Sequence, residues 1–249
     1  MCKNKTMLYD IYFDQVCSVL NHVRNTQGAA IEKVAALVAD CWAKDGIFYI
    51  FGCGHSHIIG EDLFYRAGGS AGICAMLDGD LMLHEGAVKS SHYEKMQGLA
   101  KPIFERYGLT NKDVLLVAST SGINSVPVEM AMCAKAEGIS VVAITSASYF
   151  EDESRHPSGK KLCDVADIVL DNGVSHGDAS VTIGDSQIRV GPISTISSCM
   201  LAQAIVVQAS ENLWQRNITP PIFVSGNIPG GMDRNKSLIE RYMPRIKHL

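Results

Sequence analysis

The sequence predicts an α/β fold, a three-layer sandwich in which helices cover both faces of a parallel sheet. Three short runs, 47–51, 114–118 and 140–144, are continuously apolar and rich in β-branched or aromatic residues. Such runs are typical of central strands that are buried on both faces. Between them, apolar residues recur at helical spacing, and this alternation of strand and helix indicates a parallel sheet.

Two helices are predicted ahead of the first strand. In the second helix Ile31, Val34 and Val38 recur at helical spacing, and the pair Asp45-Gly46 ends it. Weaker apolar runs later in the chain predict two more strands, at 73–76 and 167–170. The remaining predicted helices lie at 58–67, 126–137 and 193–213.

We expect one domain over residues 1–249. It consists of N-terminal helices at 1–45, an α/β core at 46–215 and a C-terminal extension at 216–249. Within the extension, residues 225–233 contain too many glycines and prolines for a helix or a strand. We expect this stretch to wrap over the surface or across a partner subunit.

Charge and composition exclude several classes of protein. The 249 residues include 22 Lys and Arg against 26 Asp and Glu, a net charge of −4, so a surface for nucleic acid or an anionic membrane is not expected. No window approaches the roughly 18 consecutive apolar residues of a membrane span, and no secretory signal pattern is present. Eight scattered cysteines without a C-x-x-C pair indicate a reducing compartment. We therefore expect a soluble cytoplasmic protein.

The first strand is followed by Gly52-Cys53-Gly54-His55-Ser56-His57 and then by a predicted helix. Two glycines allow the backbone to turn tightly and to approach a ligand closely. The exposed N–H groups at the start of the helix favour an anion. The alternative is a tight strand-to-helix turn in which Ser56 only caps the helix.

The third predicted strand, 114–118, is followed by Ser119-Thr120-Ser121-Gly122-Ile123-Asn124-Ser125. Six of the nine residues at 119–127 are hydroxyl, amide or glycine residues and none is charged. This composition favours a cradle of neutral donors for a phosphate over the alternative, a serine-rich helix cap, which needs fewer hydroxyls. Neither nucleotide fingerprint is present, so the predicted ligand is a small phosphorylated metabolite.

These motifs, GCGHSH and STSGINS, together with Ile144-Thr145 and Ala166-Asp167, resemble a SIS (sugar isomerase) domain over roughly residues 28–215. The resemblance implies a five-stranded parallel sheet, a flavodoxin-like variant of the Rossmann fold. It also implies homodimers or tetramers that complete each site from a neighbouring subunit. The residues that the resemblance assigns to phosphosugar binding are Gly54, His55, Ser56, Ser119, Thr120, Ser121, Asn124 and Ser125.

Further motifs, SRHPSGKKL at 154–162 followed later by SGNIPGG and NKSLIERY, resemble a bacterial SIS subfamily assigned as phosphoheptose isomerases. This resemblance covers essentially the whole chain. It departs from phosphoheptose isomerases at two positions on the helix after the first loop. Where those enzymes carry a His and a Glu that help to hold zinc and transfer protons, this chain has Asp62 and Arg66, so neither role is carried over. We expect no metal and no cofactor, because the histidines lack metal-ligand spacing.

Aldose–ketose isomerisation needs a base that moves a proton between adjacent carbons and an acid that serves the oxygens. The stretch after the second predicted strand offers Glu85 as the base and His84 as its partner. The alternative is a solvated polar loop. His176, which follows the last predicted strand, is a second candidate for acid–base chemistry. Residues 154–161 are either a lid that brings Lys160 or Lys161 to the phosphate or a solvated charged segment.

The sequence as a whole predicts a phosphosugar-binding protein, a sugar-phosphate isomerase with a carboxylate and a histidine as its acid–base pair. Two alternatives stay open. One is a sensor that binds phosphosugars without turnover, although the N-terminal helices are not basic enough for DNA binding. The other is a lyase or etherase on the same fold, which would also use a carboxylate base.

Overall fold

The computed structural model describes residues 7–249 and contains the predicted parallel sheet. Its strands pair in the order β2-β1-β3-β4-β5 and all are parallel, so the predicted fold class is confirmed. This order places β1 and β3 side by side at the point where the chain reverses direction across the sheet, the usual ligand-binding position of such folds. The five strands are β1 (Phe48–Gly52), β2 (Ile73–Met76), β3 (Val114–Ala118), β4 (Ser140–Thr145) and β5 (Ile168–Asp171).

Nine α-helices occur within residues 7–249. They are α1 (Leu8–Thr26), α2 (Gly28–Ala43), α3 (Ile58–Leu63), α4 (Ala87–Tyr93), α5 (Ala100–Tyr107), α6 (Ser125–Ala136), α7 (Leu162–Val165), α8 (Ser194–Trp214) and α9 (Gly231–Tyr242). None of the helices in this part of the chain is both long and apolar enough to cross a membrane.

The sheet is covered on both faces, as the continuously apolar strands predict. On β1, Tyr49 and Phe51 face one hydrophobic core, with side chains of α5, α6 and α9. Phe48 and Ile50 face the other core, with side chains of α2, α3 and α8. Successive residues of a strand point to opposite faces, so a strand between two cores must be apolar at every position.

The structure differs from the predicted elements at three places. Helix α3 ends at Leu63 instead of residue 67, because Phe64 is extended and Tyr65 has a φ of +45°. An unpredicted antiparallel hairpin, β6 (Ala179–Thr182) with β7 (Arg189–Pro192), precedes α8. The prediction that residues 225–233 form no helix is wrong at their end, since α9 begins at Gly231.

The C-terminal residues are tied to the start of the sheet by an ion pair whose carboxylate is buried. Arg245 donates to both carboxylate oxygens of Asp113, at 3.0 and 2.6 Å, and the Asp113 side chain is fully buried. Asp113 also accepts from the main-chain N–H groups of Ile47 and Thr110, at 2.8 and 2.7 Å. The extension therefore supports the core directly, while the predicted division into core and extension stays a prediction.

Candidate functional site

The two polar loops begin at neighbouring points of the sheet edge. Gly52, the last residue of β1, lies opposite Ala118, the last residue of β3. Adjacent strands are about 4.8 Å apart, so residues 53–57 and 119–125 leave the sheet side by side. The sequence could locate each loop, and the strand order brings the two loops together.

The first loop needs glycine at its start because the backbone folds back on the strand. A Cβ at Gly52 would lie 2.5 Å from the carbonyl carbon and oxygen of Ser56. The chain then forms a 3₁₀ turn over Gly54–His57, in which Gly54 has a φ of +54° and the Ser56 N–H donates to the Cys53 carbonyl at 3.0 Å. This turn holds Ser56 against the end of β1.

The second loop is fixed by hydrogen bonds to β4 and by a glycine in the left-handed region. Gly122 has a φ of +64°, and a Cβ there would lie 2.9 Å from Thr145 Oγ1. The Gly122 N–H donates to Ser119 Oγ at 3.2 Å. The Thr120 carbonyl accepts from the Ser146 N–H at 2.9 Å and from Thr145 Oγ1 at 3.1 Å. The loop is therefore held in place by carbonyls and side chains that leave several of its N–H groups unused.

Both loops present donors without a protein acceptor. Within residues 7–249, no acceptor is found for the main-chain N–H groups of Gly54 and His55 in the first loop, or of Thr120, Ser121 and Ile123 in the second. Over the same range, the hydroxyl of buried Ser125 has no hydrogen-bond partner. Successive unpaired N–H groups form a concave site for an anion. The sheet edge thus carries a cluster of neutral donors that suits a phosphoryl group.

Asn124 is arranged differently from the other predicted phosphosugar residues. Its Nδ2 donates to Glu94 Oε1 at 2.8 Å, and its Oδ1 accepts from Arg155 Nη1 at 2.7 Å. Both ends of the side chain are therefore engaged within the protein. One N–H group at the start of α6 is also engaged within the protein, since the Val126 N–H donates to the Glu94 carbonyl at 3.0 Å.

His84 and Glu85 lie in the 3₁₀ turn Leu83–Glu85 after β2, and both are exposed. The His84 ring centroid is 6.3 Å from that of His57, so His84 adjoins the first loop. The Glu85 carboxylate packs against Gly79 and lies 3.5 Å from Lys89 Nζ. Of the predicted pair, His84 is the residue that neighbours a side chain of the first loop.

His176 lies at the opposite edge of the sheet from His84. It follows β5, whereas His84 follows β2, and the two edge strands of five are about 19 Å apart. The His176 ring stacks on Tyr149 at 4.2 Å, and its Nε2 lies 3.1 Å from Asp152 Oδ2. At this separation, the His176 and His84 side chains of one chain do not contact each other.

The two positions that differ from phosphoheptose isomerases, Asp62 in α3 and Arg66 beyond its end, do not fit zinc. The Asp62 carboxylate is paired with the Arg66 guanidinium and accepts from Gln203 Nε2 at 2.8 Å. The guanidinium next to this carboxylate opposes a second cation there. Over residues 7–249 no cluster of three or more His, Cys, Asp or Glu side chains suits a metal ion.

The segment 150–161, which contains the predicted lid at 154–161, is bonded to the second loop. The Arg155 N–H donates to the Ile123 carbonyl at 2.9 Å, and His156 Nε2 lies 3.4 Å from Glu129 Oε1. The Lys161 ammonium donates to the Phe150 carbonyl. Of the two lysines considered, Lys160 is exposed and Lys161 is engaged within its own segment.

Two features of the site were not found from the sequence. His57 of the first loop is buried, and its Nδ1 contacts the Gly54 carbonyl. Glu94 contacts Asn124 of the second loop. No local pattern marks Glu94, because this contact joins residues 30 positions apart in the chain.

The fold and the loop geometry define a class of α/β proteins with two donor-rich loops at the carboxyl edge of a parallel sheet. Comparisons with known proteins show the family. The family model described as "SIS domain" matches residues 11–146. A UPF0309 protein of Caldanaerobacter subterraneus subsp. tengcongensis is 42% identical over 246 residues, which is 97% of this chain and all of the relative. A UPF0309 protein of Listeria innocua is 40% identical over 236 residues, covering 94% of this chain and 96% of that one.

Solved structures agree on the fold. A phosphoheptose isomerase from Francisella tularensis has a TM-score of 0.55 and 19% identity, covering 83% of this chain and all of that one. A phosphoheptose isomerase from Neisseria gonorrhoeae has a TM-score of 0.55 and 14% identity, covering 82% of this chain and 97% of that one. The chain belongs to the SIS domain family and, within it, to the UPF0309 proteins.

Proposed function

We propose that this protein binds a sugar phosphate at the two loops and interconverts its aldose and ketose forms. The observation that carries the proposal is the cluster of unpaired neutral donors at the ends of adjacent strands, the N–H groups of residues 54, 55, 120, 121 and 123 and the Ser125 hydroxyl. A phosphoryl group accepts many hydrogen bonds and matches such a cluster. The SIS family and the phosphoheptose isomerases of the same fold support the choice of a phosphorylated sugar.

The proposed phosphate ligands divide into main-chain and hydroxyl donors. Gly54, His55 and Thr120 contribute N–H groups, and Ser121 contributes both its N–H and its hydroxyl. Three further hydroxyls are proposed as donors: those of Ser56, Ser119 and Ser125. Asn124 belongs to the same set through its main-chain N–H, because its side chain is already engaged with Glu94 and Arg155.

For the proton transfers, the sequence-based proposal takes Glu85 as base, His84 as its partner and His176 as a second acid–base residue. The proximity of His84 to the first loop supports a role for that side chain. The exposure of His176 and its distance from β1 and β3 suit a residue that serves the site of a second subunit, which is how the predicted oligomer would use it.

Removing one hydroxyl from the cradle tests the binding proposal. We expect Ser121→Ala to weaken binding of a sugar phosphate about 10-fold to 100-fold, since a hydrogen bond to a charged group contributes about 1.5–3 kcal/mol. A thermal-shift screen over sugar phosphates identifies the ligand, because a ligand at 100 times its Kd adds about 2.7 kcal/mol. Titration calorimetry then compares the variants.

Ser237→Ala is the matched control, since Ser237 is an exposed serine of α9 that bonds only to its own helix. We expect its affinity to equal that of the unaltered protein. Equal affinities for Ser121→Ala and Ser237→Ala would contradict the cradle.

Exchange of the substrate C2 proton separates isomerisation from the alternatives. In deuterated water, an isomerase exchanges this proton and yields both sugar forms. A sensor binds tightly without exchange. A lyase or etherase releases a fragment that product analysis detects.

We also propose that copies of the chain assemble, as a dimer or a tetramer, in the cytoplasm. Helix α1 exposes 58% of Tyr9 and 61% of Phe13, and α8 exposes 68% of Val207 and 65% of Trp214. Such large apolar side chains are more common at interfaces than on monomer surfaces. We expect sedimentation equilibrium to give two or four chains per particle, and a monomer at all concentrations would contradict this.

A further inference from the structure

We propose that Glu94 is the carboxylate that carries the proton between the two sugar carbons at this site. The inference rests on the proposed function and assigns its base to a residue whose carboxylate contacts the second loop. Glu94 is the residue directly after α4.

Glu94 is held at the start of α6 by its main chain and by its side chain. Its carbonyl accepts from the Val126 N–H at 3.0 Å. Its Oε1 accepts from Asn124 Nδ2 at 2.8 Å. Since Asn124 is the last loop residue before α6, these two contacts place the carboxylate beside residues 119–125.

The charge of the Glu94 carboxylate also acts on the first loop. Burial raises the pKa of the Cys53 thiol well above its ordinary value, and the charge of Glu94 raises this pKa further. Cys53 is the residue directly after β1. Glu94 thus contacts the second loop through Asn124 and acts electrostatically on the first; in the proposed complex the carbons of the sugar phosphate extend toward this carboxylate.

One oxygen of Glu94 is available for chemistry. Asn124 occupies Oε1, while Oε2 has no partner within residues 7–249. Burial raises the pKa of the Glu94 carboxyl above its ordinary value, and the hydrogen bond from Asn124 opposes part of that rise. A carboxylate with a raised pKa is a stronger base than an exposed one and is suited to abstract a carbon-bound proton near neutral pH.

Three charged side chains besides Glu94 act on this part of the site. Lys95 is its neighbour in the chain, and Arg155 reaches in from the 150–161 segment; both lower its pKa. Asp78, after β2, acts on the same Cys53 thiol as Glu94 does. By contrast, Glu85 is exposed and lies beside Lys89, so it has neither the burial nor the contact with a loop.

The proposed step balances without any further reactant. Glu94 Oε2 removes the C2 proton of the aldose, and the C2–H electron pair becomes the C1=C2 bond. The carbonyl electron pair moves to O1, which takes a proton from solvent water while O2 releases one. The C2=O bond then forms from the O2 electron pair, and the C1=C2 pair takes the proton from Glu94 at C1. The carboxylate is regenerated.

The test is the rate of C2 proton exchange in Glu94→Gln, with the sugar phosphate identified by the thermal-shift screen. Glutamine keeps the acceptor for Asn124 but cannot accept the proton. We expect exchange to fall about 100-fold to 10,000-fold while the Kd changes less than about threefold. In the unaltered protein the rate rises with pH through the raised pKa of Glu94, because the base acts when deprotonated; the residual rate of Glu94→Gln loses this rise.

Two further variants keep the test decisive. Glu105→Gln is the matched control, since Glu105 is an exposed carboxylate of α5 that pairs only with Lys101, at 3.9 Å, and we expect an unchanged rate. Glu94→Asp keeps a carboxyl group one methylene shorter, and we expect an intermediate rate, which loss of folding would not produce.

The outcomes distinguish the inference from the function on which it rests. Exchange at the unaltered rate in Glu94→Gln, or its loss only in Glu85→Gln, overturns the assignment of Glu94 and leaves the isomerase proposal standing. Binding without exchange in the unaltered protein overturns the isomerase proposal, and the role of Glu94 with it.

Discussion

We expect Gly52→Ala to lower the affinity for a sugar phosphate by at least about 100-fold. The added Cβ would lie 2.5 Å from two main-chain atoms of Ser56, so the turn Gly54–His57 must move away from the strand. These main-chain atoms cannot move aside as the end of a flexible side chain can. The movement separates the donors of the first loop from the phosphoryl group, and the loss of two charge-assisted hydrogen bonds costs about 3 kcal/mol or more.

Titration calorimetry of Gly52→Ala measures this loss, with Gly28→Ala as its control. Gly28 begins α2, and a Cβ there meets nothing within 4 Å. We expect Gly28→Ala to bind as the unaltered protein does. An affinity within threefold in Gly52→Ala would mean that the first loop does not contact the phosphate. Circular dichroism shows whether the variant is folded, since overpacking costs about 1–3 kcal/mol of stability.

We expect Arg245→Ala to lower the free energy of unfolding by about 3 kcal/mol, the lower end of the usual effect of removing one partner of a buried ion pair, because the Arg245 side chain is 32% exposed. The Asp113 side chain is fully buried, and without Arg245 its charge keeps only the N–H groups and the Thr110 hydroxyl as partners. The charge then remains buried without a counter-ion. Urea unfolding followed by circular dichroism gives the difference.

Arg241→Ala is the matched control for the C-terminal ion pair. Arg241 pairs with Asp45, and these side chains are 48% and 71% exposed, so the pair contributes at most about 1 kcal/mol. A loss below 1 kcal/mol in Arg245→Ala as well would show that the C-terminal extension does not support the sheet.

The strands could be predicted because burial on both faces requires apolar residues at consecutive positions. Ile47–Phe51 and Val114–Ala118 are apolar at every position, which only a strand between two cores requires. The loops were predictable for a related reason: hydroxyl residues and glycines directly after such strands have few purely structural tasks. The strand order of the folded sheet then places the two loops side by side.

Other features depend on contacts between distant residues. The hairpin of β6 and β7 carries exposed apolar residues, such as Ile183 and Ile188, so its pattern differs from that of a buried strand. Helix α9 begins after Gly230, in a stretch whose glycines suggest a loop. The position of Glu94 depends on where α4 ends relative to α6, whereas Glu85 lies in the polar stretch directly after the second predicted strand, where the sequence predicts the base.

The central claim is that neutral donors of two loops bind a single phosphoryl group. The most direct measurement is an amide ¹H–¹⁵N NMR titration with a sugar phosphate and, separately, with the same sugar lacking the phosphate. We predict that the amide signals of Gly54, His55, Thr120 and Ser121 shift together and saturate at one Kd, and only with the phosphorylated sugar. Shifts confined to one loop, or equal shifts with the unphosphorylated sugar, would contradict the account.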